Sequence, residues 1–162
     1  MTKALYSGTF DPITIGHIDI IETSLSVFDE VVVAVAVSRT KKPMFDIKDR
    51  VKLVENSLKR LPKIKVVAFD NLLVDLAYSL HIKHVIRGLR AVSDFEYEFQ
   101  MGYANSSLNK NIRTVFFMPK VQNAFISSSI IRELIRFGGK FEHLVPKEIS
   151  KDIYEIYHNR GN

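Results

Sequence analysis

One stretch of this 162-residue chain leaves little freedom of fold. After Glu30, the run VVVAVAV (residues 31–37) is apolar at every position. A strand with one solvated face alternates apolar and polar residues, whereas an unbroken run suits a parallel strand covered on both sides. Strand and helix patterns alternate around it. KALYS reads as a strand, and HIDIIETSLSVF as a helix with Ile18, Ile21, Leu25 and Phe28 on one face. Asp46 can cap the next helix, where Ile47, Val51, Val54 and Leu58 form a stripe. KIKVVAF, LLVDLAYSLHI and KHVIRG then supply a strand, a helix and a strand. Ser93 with Glu96 is a capping-box signal for a helix running to about Leu108. NIRTVFFMP is the fifth strand, and SSSIIRELIRF a helix stopped by Gly138-Gly139. A last helix follows Pro146, from about residue 147, with Ile149, Ile153 and Ile156 inward. Such alternation implies right-handed crossovers and an α/β fold. The expectation is one domain over residues 1–162, a doubly wound, Rossmann-like sheet of five parallel strands with helices on both faces.

Composition removes several function classes. The chain has no cysteine, which excludes disulfides, thiolate metal sites and a cysteine nucleophile, and fits a reducing cytoplasm. Its longest apolar run is far too short to cross a bilayer, and the first residues do not have the form of a secretion signal. A soluble cytoplasmic protein without a membrane partner is expected. The net charge of +5 is spread along the chain: residues 1–81 hold 11 Lys/Arg and 10 Asp/Glu, residues 82–162 hold 12 and 8. No long basic block exists, so nucleic acid is weakly signalled, and a basic pocket for a small polyanion fits the same charge.

In such a sheet, ligands bind beyond the carboxyl ends of the strands, near the point where strand order reverses. The segment after the first strand is SGTFDPITIGH (residues 7–17). Gly8 allows close backbone approach, and Asp11-Pro12 enforces a bend. Gly16-His17 opens a helix whose free N–H groups and dipole favour an anion. A lone Gly-His there reads as an ordinary turn with a solvent-facing histidine; Gly8, Thr9, Thr14, Gly16 and His17 together point to a nucleotide site. Neither G-x-x-x-x-G-K-[ST] nor a G-x-G-x-x-G after a strand is present, which argues against a P-loop kinase or an NAD enzyme. ISSS (residues 126–129) opens a second helix, where one serine serves as a cap and Arg132 follows one turn later. IRGLRAVSDFEYE sets Arg87 and Arg90 three residues apart at a strand end, the geometry of an anion clamp. Lys41, in SRTKKP, can add a point charge, with Lys42 as its immediate alternative.

T-x-G-H after GTFDP, then KKPMF, IRGLRAVSDFEYE and ISSS resemble the bacterial phosphopantetheine adenylyltransferases, in the nucleotidylyltransferase superfamily. The resemblance runs from Ala4 to about Pro146, with the motifs in the family's order. GTFDP…GH and ISSS alone mark the superfamily; IRGLRAVSDFEYE is the narrow signal. The resemblance implies that ATP and 4′-phosphopantetheine give dephospho-coenzyme A and pyrophosphate, with Mg²⁺, in coenzyme A biosynthesis. It implies catalytic roles for His17, Lys41 and Arg90, and acceptor binding by Thr9, Lys41, Leu73 and Arg87. It assigns ATP binding to Thr9, Phe10, His17, Gly88, Leu89, Arg90 and Glu98. The same role falls to Asn123, Ala124, Phe125, Ile126, Ser127, Ser128 and Ser129, and no side chain is implied as a metal ligand. A homohexamer of two stacked trimers and coenzyme A as feedback ligand are implied as well. Two departures stand out: Asn123-Ala124 replaces a more usual Trp-Ser, and Ile15 replaces the common Asn.

This chemistry agrees with the residues present. A phosphate monoester is already largely ionised near neutral pH, its second pKa being about 6, so no general base is needed. What is needed is alignment of two polyanions and stabilisation of charge on the reacting and departing phosphates. Two alternatives are separable from this reading. A superfamily transferase acting on nicotinate mononucleotide or glycerol phosphate usually carries His where this chain has Thr14. A nucleotide-sensing or nucleic-acid module would rest on the +5 charge alone.

Overall fold

In the computed structural model, which describes residues 1–38 and 42–159, the apolar run becomes a strand with neighbours on either side. Strands β1 (Lys3–Gly8), β2 (Glu30–Ala36), β3 (Ile64–Phe69), β4 (His84–Gly88) and β5 (Arg113–Phe117) form one parallel sheet. Their order is β3-β2-β1-β4-β5, so the direction of winding reverses between β1 and β4. Register divides the sheet into two faces. Leu5 lies opposite Val32 and Val85, while Tyr6 lies opposite Val33 and Ile86.

The helices are α1 (Ile15–Leu25), α2 (Ile47–Leu58), α3 (Leu73–Ser79), α4 (Val92–Leu108), α5 (Ser128–Arg136) and α6 (Ser150–Asn159). The Tyr6 face carries the larger core, where Val33 and Ile86 meet Ile21 of α1, Leu53 of α2, Ile131 of α5 and Ile153 of α6. The Leu5 face carries a smaller one, closed by Val74 and Ala77 of α3 with Ile82 and Ile112. Helices on both faces therefore bury both sets of β2 valines, each contributing about 1.5–3 kcal/mol. Asp46 caps α2 through the Asp49 N–H at 2.9 Å, and Gly138, at φ +68°, ends α5 in the left-handed region open to glycine.

Two local expectations change. α1 stops at Leu25, and Phe28 reaches the core from the turn beyond it. The capping box of Ser93 and Glu96 does not form: α4 starts at Val92, so Ser93 lies inside the first turn, and Ala91 holds the cap position without a side-chain bond. Asp94 instead ties the helix start to Arg90, accepting from its backbone N–H at 3.3 Å and its Nε at 3.1 Å. α4 differs from the other helices in another way. Asn105 is its one buried residue among those described, while Phe95, Phe99 and Tyr103 form an exposed ladder with centroid spacings of 5.2 and 4.8 Å. No helix among the described residues is long and apolar enough to cross a membrane.

Candidate active site

The turn after β1 is built by bonds that run away from the sheet. Gly8 leaves room for the Phe10 ring, which a Cβ there would crowd at 3.1 Å. Phe10 has φ +47°, a left-handed conformation that a bulky residue keeps only when its surroundings impose it. Three carbonyls of the turn are committed to donors: Thr9 to Arg50 Nη1 at 2.6 Å, Asp11 to Arg132 Nη1 at 2.8 Å, and Pro12 to Ser128 Oγ at 2.8 Å. The Asp11 carboxylate accepts from the N–H groups of Met44 and Phe45, both at 2.9 Å.

At the start of α1, Thr14 Oγ1 accepts from the His17 N–H at 3.2 Å. In return, His17 Nδ1 accepts from the Thr14 N–H at 3.0 Å. This reciprocal cap fixes the tautomer: with Nδ1 an acceptor, the neutral ring carries its proton on Nε2. Burial, with the charges of Arg90 and then Arg87, pushes the imidazole pKa down to about 4. His17 is thus a neutral donor at physiological pH.

Across the cavity, Ser127 caps α5 by accepting from the Ile130 N–H at 3.2 Å, which makes it the structural serine of the three. Ser128 bonds to Pro12, and Ser129 Oγ accepts from Arg132 Nη2 at 3.1 Å. At the end of β4, Arg87 forms a two-pronged pair with Glu98 (Nη2 to Oε1, 2.6 Å) and donates from Nη1 to the Ser7 carbonyl at 3.0 Å. Burial works against the Arg87 charge, but Glu98 outweighs it and raises the pKa above the ordinary value. Arg90 pairs with Asp94 and reaches the Ile126 carbonyl at 3.2 Å.

These elements enclose a cavity of about 270 Å³ at the switch point between β1 and β4. Phe10, His17, Arg87, Gly88, Arg90, Glu98 and residues 126–129 line it together. Tyr6, Asp94 and Pro119 line it too; only Asp94 had a sequence signal, four residues after Arg90. Six other expected residues stand off its wall. Thr9 is exposed, with its carbonyl drawn to Arg50. Leu73 begins α3 and packs on the smaller core. Leu89 extends the sheet through its N–H to Phe117. The Asn123 amide donates to Asp19 at 2.7 Å, Ala124 is half-buried beside it, and Phe125 is exposed. Lys41 lies outside the described residues. A second concavity, about 550 Å³, opens beyond β2 and β3 along Val37, Phe69, Asn71 and Leu72.

Comparison with known proteins shows the family. A family model described as cytidylyltransferase-like matches residues 5–134. A phosphopantetheine adenylyltransferase of Nautilia profundicola is 53% identical, over 94% of this chain and 99% of its own. That of Helicobacter hepaticus is 51% identical over 99% and 98%, and that of Campylobacter fetus 54% over 93% and 95%. A solved Vibrio parahaemolyticus structure, assigned as a nicotinate-nucleotide adenylyltransferase, superposes with a TM-score of 0.67 over 90% of this chain and 94% of that one; at 22% identity it speaks for the fold alone. Identity above one half, sustained along nearly the whole of both chains, makes this chain a member of the phosphopantetheine adenylyltransferase family, within the cytidylyltransferase-like nucleotidyltransferases.

Proposed function

We propose that the cavity between β1 and β4 is where the adenylyl group of ATP is transferred to 4′-phosphopantetheine, giving dephospho-coenzyme A and pyrophosphate in coenzyme A biosynthesis. A phosphate oxygen of the acceptor attacks the α-phosphorus of ATP, and the bond to the β-phosphate oxygen breaks. The observation that carries the mechanism is the neutral His17 with its Nε2–H free of the Thr14 cap. A group so hard to protonate is a poor base, and an ionised phosphate has no proton to give up. His17 therefore donates to the phosphate oxygens as charge moves among them, alongside the N–H groups that open α1 and α5.

On this reading Arg90, Ser128 and Ser129 hold the triphosphate with the N–H groups at the start of α5, which Ser127 caps, and Arg87 holds the acceptor phosphate. Asn123, Ala124 and Phe125 lie next to the serines, toward the adenine side. Lys41 and Thr9 belong to the acceptor side, and the concavity lined by Asn71 and Leu72, just ahead of Leu73 in the chain, suits an extended pantetheine arm. Mg²⁺ would be carried on the triphosphate rather than held by protein side chains. Among the described residues no three His, Asp or Glu side chains converge, and the cavity carboxylates Asp94 and Glu98 are engaged by arginines. Such a donor set suits an ion ligated by phosphate and water, which would supply charge neutralisation for the departing pyrophosphate. The exposed aromatic ladder of α4 supports assembly into a homohexamer. Coenzyme A, which contains the product, is proposed as the feedback ligand, and the cytoplasm as the compartment.

Pyrophosphate release from ATP with 4′-phosphopantetheine, run beside nicotinate mononucleotide, tests the reading. Release with the first acceptor and none with the second is expected; the reverse pattern overturns it.

A further inference from the structure

The residue that most constrains the phosphate-binding turn lies outside the cavity. Arg50, on α2, is 2% exposed, an unusual burial for a guanidinium. Its donors go to three carbonyls from three segments: Nη1 to Thr9 at 2.6 Å and to Ala36 at 2.8 Å, Nε to Phe45 at 3.0 Å. From the opposite side, the Asp11 carboxylate accepts from the N–H groups of Met44 and Phe45. The turn after β1, the end of β2 and the approach to α2 thus form one junction. Neither Arg50 nor Asp11 lines the cavity.

What the junction holds is Phe10, which directly follows the Thr9 carbonyl. Its ring is 2% exposed and stands edge-on to the His17 ring, with centroids 5.0 Å apart. With φ at +47°, Phe10 has no intrinsic preference for this position. A carbonyl free to rotate would let Phe10 return to ordinary backbone angles and leave the imidazole unsupported on that side.

We infer that Arg50 is a positioning residue of the transfer: by holding the Thr9, Ala36 and Phe45 carbonyls in one fork, it keeps Phe10 against His17 and sets the direction of the Nε2–H bond. This rests on the role given above to His17. A lysine cannot substitute, because an ammonium is a point charge without the planar fork.

The test uses Arg50→Lys, and Asp11→Asn, which loosens the same junction from the other side because an amide NH₂ meets one of the two N–H donors. Thermal melting, kcat, both KM values and an NMR titration of the His17 ring are measured on each. The expected outcome is a folded protein whose kcat falls about tenfold or more while both KM values stay within about twofold. In the ligand-free variants His17 should titrate above its value of about 4, toward 6.5, as its ring becomes hydrated. Folded variants with unchanged kcat and unchanged His17 titration overturn the inference. So does loss of folding in both, which would leave Arg50 a stability residue. If the wild-type protein releases no pyrophosphate with 4′-phosphopantetheine, the reaction assignment fails, while the NMR comparison still decides the positioning.

Discussion

The two halves of the cavity are made of different material. One half, the turn after β1 with the starts of α1 and α5, presents backbone N–H groups and one neutral imidazole. Its supports are Arg50, Asp11, Asp19 and Arg132, set behind it. The other half, at the end of β4 and the start of α4, presents long guanidinium side chains paired with Glu98 and Asp94. The first half is held by bonds from behind it, whereas on the proposed function the second would exchange a carboxylate for a phosphate. Fixed donors suit stabilisation of a transition state, and exchangeable charges suit binding and release.

The sharpest break of that contrast is His17→Ala. It should lower kcat by about 3–4 kcal/mol, as loss of an oxyanion-hole donor does, with far smaller changes in either KM. His17→Asn or His17→Gln retains an N–H donor and should recover part of the rate. If both are as inactive as Ala, and the wild-type rate follows an imidazole titration, the fixed half is working by base catalysis and the contrast collapses.

Acid stability probes the same half without substrate. The folded-state pKa of His17 is about 4 against 6.5 for the free ring, so between these values the unfolded chain binds a proton that the folded one refuses. Stability from this group is complete above pH 6.5 and declines as pH falls to 4, by at most about 3 kcal/mol. Denaturant melts of wild type and His17→Gln across that range should diverge in this direction. Parallel curves would mean that the ring is hydrated.

On the exchangeable half, Arg87→Ala should raise the KM for 4′-phosphopantetheine by about 1.5–3 kcal/mol in binding terms, and that for ATP much less. Equal effects on both substrates would remove the division of labour between Arg87 and Arg90. The smallest effect is expected at Ser127→Ala, which removes the α5 cap and should destabilise the protein by about 1 kcal/mol in thermal melts. A large loss of kcat there would move Ser127 from the frame to the chemistry.

The fixed half was legible as motif and illegible as mechanism of support. Gly8, Gly16 and the serines advertise a helix-start site through their types and spacing. Arg50 sits on the inward stripe of α2 beside Val51 and Val54, and reading only aliphatic positions conceals it. Asp19, 3% exposed, lies among Ile18, Ile20 and Ile21 on α1 for a comparable reason. A charge on a buried face makes sense only through partners supplied by the fold, and the partners of Asp19 are Asn123 and Lys120, from the segment between β5 and α5. The same bond explains why Asn123 is turned from the cavity. In the other half, Arg90 and Asp94 follow helical spacing. Arg87 and Glu98, eleven residues apart, meet only because α4 folds back across the end of β4. The sheet itself followed from β2, whose unbroken apolar run after Glu30 admits few alternatives.

The central place of β1 has a consequence for how the protein is made. Its neighbour β2 follows at Glu30, but its other neighbour starts only at His84. A nascent chain that has emerged as far as Phe69 holds β1, β2 and β3 with one side of β1 an open edge, a template for pairing with other chains. Closing β4 onto that edge is a long-range step, slower than the local pairings before it. The arginines arrive with β4 and its loop, and the serines only after β5. A chain halted midway therefore displays His17 yet lacks the arginine and serine walls of the cavity. Its exposed edge is what a chaperone or protease would meet first.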